Sequence, residues 1–193
     1  MTLLRVFIAV EIPLPIRQAI LDQTESLRTT LGRDLIRWVP IENQHLTLKF
    51  IGDVPSASID LLTQLLIGET QGRAPFTIQI GGLGSFPNPQ RARVLWIGIH
   101  APAALESLQH GIESAAARLG YEAETRPFAP HLTIGRVHQQ VRASEQQQVR
   151  AALEKTQVGS LGAVVVKAVH LFKSDLKPSG AEYTRLFSAP LKN

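Results

Sequence analysis

The spacing of apolar residues changes period several times along the chain. Residues 4–10 alternate and are rich in Val, Ile and Phe, which predicts a strand that Pro13 and Pro15 end. Ile16, Ile20, Leu27 and Leu31 then recur along one stripe, predicting a helix over 15–31. A short strand over 35–39 is closed by Pro40. Residues 45–51, HLTLKFI, alternate again, with Leu46, Leu48 and Phe50 on one face and His45, Thr47 and Lys49 on the other. Ser56 is the predicted N-cap of a helix over 57–67, followed by a strand over 76–80 and a Gly/Pro loop over 81–89.

The second half repeats this order. Residues 93–99 form a strand, 102–119 a helix stopped at Gly120, and 131–137 an alternating strand with His131, Thr133 and Gly135 on one face. A polar helix over 142–156 precedes a strand over 164–172. The turn Lys177–Pro178–Ser179–Gly180 leads to a last strand over 183–187. Arg5 and Arg93 lie 88 residues apart, and His45 and His131 lie 86 apart. A repeat of roughly 4–82 and 92–190 follows, within a single domain over 1–193. The expected fold class is α+β: two pseudo-symmetric lobes around a central cleft, with exchange of strands between lobes allowed. Each lobe is a mainly antiparallel sheet with helices on its outer face.

Composition narrows the chemistry. The 193 residues include no cysteine, which removes thiolate nucleophiles, disulfides and Cys-based metal sites, and fits a reducing cytoplasm. A formal charge of +4 leans weakly towards an anionic partner. The apolar start is too short to span a membrane and lacks a cleavage site. The expectation is a cytoplasmic protein with no membrane partner, and nothing in the repeat demands an oligomer.

In a strand, His45 and Thr47 project from one face, as do His131 and Thr133. If the two strands adjoin, two imidazoles and two hydroxyls converge. One neutral imidazole can act as base and one imidazolium as acid, while hydroxyls donate to phosphoryl oxygens. That equipment suits in-line cleavage of a phosphodiester without a metal or other cofactor. No HExxH motif or carboxylate completes a metal ligand set around either tetrad. His100, His110, His138 and His170 have no such setting and are read as surface or core residues. Trp38 and Trp96 are read as core, and Gly81–Gly84 match no phosphate-binding loop. Lys49 shares the His45 parity and would add positive potential or lie exposed.

The tetrads HLTL and HLTI, with the runs RVFIAVEIP, RWVPIENQHLTLKFIGDV, RARVLWIGI, RPFAPHLTIGRV and SDLKPSGAEYTRLFSAPL, resemble the 2H phosphoesterase superfamily. Within it they resemble the RNA 2′,3′-cyclic phosphodiesterases, also called 2′-5′ RNA ligases. Gln44 stands where an apolar residue is common, and Gly135 where Ala is frequent. The resemblance implies RNA ends carrying a 2′,3′-cyclic phosphate, or related nucleotides, as partners. It implies His131 as proton acceptor on water, His45 as proton donor to the leaving 3′ oxygen, and Thr47 and Thr133 as the remaining catalytic pair. The repeat by itself permits the two His to be exchanged. The family also places an Arg at position 136 against substrate phosphate. Regular alternation turns Arg136 away from the cleft, and a bulge at Gly135 would re-aim it. Phe128 is a candidate base-stacking residue, with core packing as the alternative. The competing functions are the reverse, ligating reaction and a non-catalytic RNA-binding module.

Overall fold

The computed structural model describes residues 2–177 and 180–192. Nine strands form one sheet: β1 (Leu3–Glu11), β2 (Ile36–Trp38), β3 (His45–Pro55), β4 (Phe76–Phe86), β5 (Val94–His100), β6 (His131–Val137), β7 (Ser160–Val166), β8 (Ala168–Lys177) and β9 (Gly180–Pro190). Five helices accompany them: α1 (Leu14–Gln23), α2 (Glu25–Leu35), α3 (Ile59–Thr70), α4 (Ala103–Arg118) and α5 (Ala143–Lys155). The strand order is β7-β4-β5-β6-β3-β1-β8-β9, with β2 beside β6, and the named strand pairs are antiparallel.

The two halves of this sheet make the two expected lobes, joined where β3 and β6 meet at the single pair Leu46–Leu132. β4, from the first half of the chain, pairs with β5 and β7, whereas β8 pairs with β1. The helices follow the same exchange: α3 and α4 pack on the β1–β3–β8–β9 lobe, and α1 contacts β7.

Side-chain period explains the layers. Val6, Ile8 and Val10 point from β1 into one large core shared with Ile20, Leu27, Leu62, Leu66 and Leu108 of the helices. Phe7 and Ala9 point the other way, into a small cluster with Phe172 and Tyr183. The cleft therefore lies on the face the helices leave uncovered.

Four elements depart from the sequence reading. The helix expected over 15–31 is two, parted at Thr24, whose backbone leaves the helical region (φ -103°, ψ 6°) and whose hydroxyl donates to the Ile20 carbonyl at 2.7 Å. Ser56 opens a short 3₁₀ turn and makes no side-chain cap. The expected loop over 81–86 continues β4. Its register breaks between Ile80 and Leu83, where Gly82 takes a φ of 78°, and a Cβ on Gly84 would fall on the Trp96 ring. These glycines keep the strand while admitting a large ring against its backbone. The run over 164–172 belongs to two strands that part at Lys167. Of the turn over 177–180, Pro178 and Ser179 lie outside the described residues.

Candidate active site

β3 begins at His45 and β6 begins at His131, so each tetrad opens its strand at the mouth of the cleft. Leu46 and Leu132 are buried on the helix side, which turns the His and Thr of both tetrads to the opposite face. One step along the Leu46–Leu132 register sets His45 opposite Thr133 and Thr47 opposite His131. The four side chains predicted as catalytic are thus brought to one place.

The two imidazoles are held alike. Nδ1 of His45 is 2.8 Å from the Asn43 carbonyl oxygen, and Nδ1 of His131 is 2.7 Å from that of Ala129. A carbonyl only accepts, so Nδ1 carries the ring proton in both and Nε2 keeps the lone pair. Aromatic walls fix the ring planes. His45 stacks on Phe7 with centroids 4.8 Å apart and meets Tyr183 edge-on at 5.2 Å. His131 meets Phe86 edge-on at 4.9 Å, with Trp96 at 6.5 Å.

Burial pushes the His45 imidazolium down to about 4, against the opposing pull of the Asn43 carbonyl. His131 is also lowered, first by burial and further by the charge of Arg136. Acid stability carries the signature of the His45 shift. Above pH 6.5 the folded and unfolded imidazoles are both neutral. As pH falls from about 6.5 to about 4, only the unfolded state takes the proton, and stability is lost. Wild type should lose about 3 kcal/mol more than His45→Gln between pH 7 and pH 4 in urea unfolding. Parallel loss in both proteins would remove the buried imidazole as the cause.

Arg136 reaches the cleft because β6 does not alternate regularly. Trp96 pairs with Thr133 and Leu95 with Gly135, which leaves Ile134 as an extra residue. This bulge, one residue before the position considered above, reverses parity, so Gly135 is buried and Arg136 shares the exposed face of His131 and Thr133. β3 carries the matching bulge at Leu48, between the pairs Ile8–Lys49 and Ala9–Thr47. It overturns the reading of Lys49, which is 5% exposed and donates to Glu113 and to the Glu122 carbonyl on the helix side. Phe50 takes the cleft face instead, 55% exposed, with its ring 5.7 Å from Phe7.

Phe128 is half-buried and packs against the large core. Trp38 also packs there and donates its indole N–H to the Gly32 carbonyl at 2.9 Å. Trp96, read as core, lies beside His131, and its indole nitrogen has no hydrogen-bond partner among the described residues. Tyr183, Phe7, Phe50 and Phe86 were not singled out by spacing, since an aromatic in a strand reads equally as core. A cavity of about 980 Å³ adjoins the site on the His45 side, lined by Phe7, Glu11, Asn43, His45, His170 and Tyr183 among others. Among the described residues, no three His, Cys, Asp or Glu side chains converge as a metal-holding group.

With two His-x-Thr strands facing one cleft, known proteins can be set beside this one. The model of the 2′-5′ RNA ligase superfamily matches residues 15–178. The chain belongs to this superfamily. Its relatives include an RNA 2′,3′-cyclic phosphodiesterase of Methanothermobacter thermautotrophicus, 32% identical over 180 residues, which cover 93% of this chain and 95% of that one. A protein of the same description from Escherichia coli is 35% identical over 131 residues, covering 67% and 70%. The crystal structure of Escherichia coli LigT complexed with 3′-AMP has a TM-score of 0.76 and 27% identity, with both chains fully covered. The superfamily's bilobal α+β fold is the fold described above. Among the described residues, no helix is long and apolar enough to cross a membrane.

Proposed function

We propose that this enzyme hydrolyses the terminal 2′,3′-cyclic phosphate of RNA to a 2′-phosphate, using His45, Thr47, His131 and Thr133 and no metal or nucleotide cofactor. The observation that carries the proposal is the matched pair of imidazoles, each with Nδ1 tied to the carbonyl two residues back and Nε2 free, on strands that meet at one pair. The relatives named as RNA 2′,3′-cyclic phosphodiesterases supply the substrate class.

His131 Nε2 takes a proton from water as the water oxygen attacks phosphorus. The bond from phosphorus to the 3′ oxygen breaks, and His45, entering as imidazolium, gives its Nε2 proton to that oxygen. The products are a 2′-phosphate and a 3′-hydroxyl. This polarity follows the superfamily resemblance. Burial is the first cause that lowers both imidazoles, and the Arg136 charge lowers His131 further, which is compatible with its part as base. Thr47 and Thr133 donate to the non-bridging oxygens, where charge grows in the transition state.

Both tetrads come from one chain, so a monomer holds a complete site. The same reading takes residues 1–193 as one bilobal domain built on a repeat of roughly 4–82 and 92–190, supported by the exchanged places of β4 and β8. The superfamily's name favours one second reading. A 5′-hydroxyl in place of water, deprotonated by His131 as it attacks phosphorus while His45 protonates the departing 3′ oxygen, forms a 2′-5′ linkage.

The deciding experiment incubates pure protein with EDTA and without ATP on an oligoribonucleotide ending in a 2′,3′-cyclic phosphate. Conversion to the 2′-phosphate is expected. Binding without turnover across pH 5–8 would sink the hydrolytic reading in favour of a binding module, and a 2′-5′ joined product would establish the ligating direction.

A further inference from the structure

Arg5 is exposed, and among the described residues it forms no ion pair. β1 alternates without interruption. Val6, Ile8 and Val10 enter the large core, and Phe7 and Ala9 enter the small cluster, so period 2 sets Arg5 on the cleft face. Ser174 of β8 pairs with Tyr183 of β9. Val6 pairs with Lys173, and one further step of that register sets Arg5 opposite Ser174. Arg5, Ser174 and Tyr183 therefore form a line across three strands. Ser174 is small and buried, which leaves the two long side chains room to approach each other above it.

Charge supports this placement. Burial raises the Tyr183 phenol, and the charges of Arg136 and Arg5 both oppose the rise. The nearby acids do not neutralise Arg5: Asp53 faces it across β3 without an ion pair, Asp175 is held by Lys173, and Glu182 is held by Lys177. Tyr183 is the ring that meets His45 edge-on. Two unpaired guanidinium groups thus flank one aromatic ring beside His45, one from each lobe.

A cyclic phosphate is a single anion, already attended by Arg136 and the two threonines. A second free cation, one aromatic ring further from the reacting atoms, calls for a second anion about one nucleoside away. On an RNA strand that anion is the phosphate on the 5′ side of the terminal nucleoside. We propose that Arg5 is a second phosphate subsite, which holds the 5′-phosphate of the terminal nucleotide and gives the enzyme a preference for RNA strands over free cyclic mononucleotides. The proposal rests on the reading of the reacting end given above.

Adenosine 3′,5′-bisphosphate and adenosine 3′-monophosphate are the probes, titrated calorimetrically against wild type, Arg5→Met and Arg5→Lys. Wild type should favour the bisphosphate on the order of 10-fold, the worth of one charge-assisted contact. Arg5→Met should bring that ratio close to one, Arg5→Lys should keep much of it, and the salt slope for the bisphosphate should fall by about one in Arg5→Met. A wild-type ratio near one, an unchanged ratio in Arg5→Met, or equal weakening of both ligands would overturn the subsite. Because the readout is binding, it is separable from the reaction. A preserved ratio with no hydrolysis of cyclic ends would discard the proposed reaction and keep Arg5.

Discussion

His131→Ala and His45→Ala should each lower kcat/KM for hydrolysis of the cyclic phosphate by about 10²–10⁴, the usual worth of a positioned proton-transfer group. Neither ring belongs to the large core, so both variants should keep the wild-type circular dichroism spectrum. The double variant should be little worse than either single one, since an acid and a base that act in one step fail together. The pH profile tests the same pair. Both imidazoles titrate below 6.5, one near 4, so kcat/KM should be bell-shaped with its maximum below pH 6.5. The profile of kcat should extend to higher pH, because bound phosphate raises the His45 imidazolium. Wild-type turnover in either alanine variant would refute the paired-imidazole mechanism.

If Arg136 binds the substrate phosphate as the resemblance implies, Arg136→Met should raise KM for cyclic-phosphate ends by about 10- to 100-fold, the worth of one charged contact. A second consequence separates this role from a distant or structural one. With the guanidinium gone, the His131 imidazolium is less disfavoured and its pKa moves up towards 6.5. One limb of the kcat/KM profile should therefore move to higher pH, and Arg136→Lys should restore much of its position. A changed KM with an unmoved limb would place Arg136 on substrate but away from His131.

Much of the architecture is legible in residue order, for reasons that are local. The expected strand over 131–137 is the observed one, since a run of period 2 bounded by Pro130 and a polar segment has little else to form. Both tetrads stand out because the same short word recurs at the same place in two similar halves. The elements that were misread depend on distant partners. Gly81–Gly84 read as a loop until Trp96 is seen lying against Gly84, and the apolar run over 164–172 gives no sign that its two ends pair with β4 and β1.

The sequence by itself determined the kind of chemistry: no thiol, two matched His-x-Thr strands, and an α+β chain in two similar halves. It determined parity only as far as each strand stays regular. The tertiary structure decided which charges face the substrate, because bulges at Leu48 and Ile134 appear only when β3 and β6 are laid against β1 and β5. One extra residue reverses the side chains beyond it as far as the next bulge, which in β3 lies at Ile51. That reversal buries Lys49, exposes Phe50 and brings Arg136 beside His131. Arg5 lies on a strand whose alternation the structure shows to be unbroken. The cross-strand line to Tyr183, a neighbour from the far end of the chain, exists only in the fold.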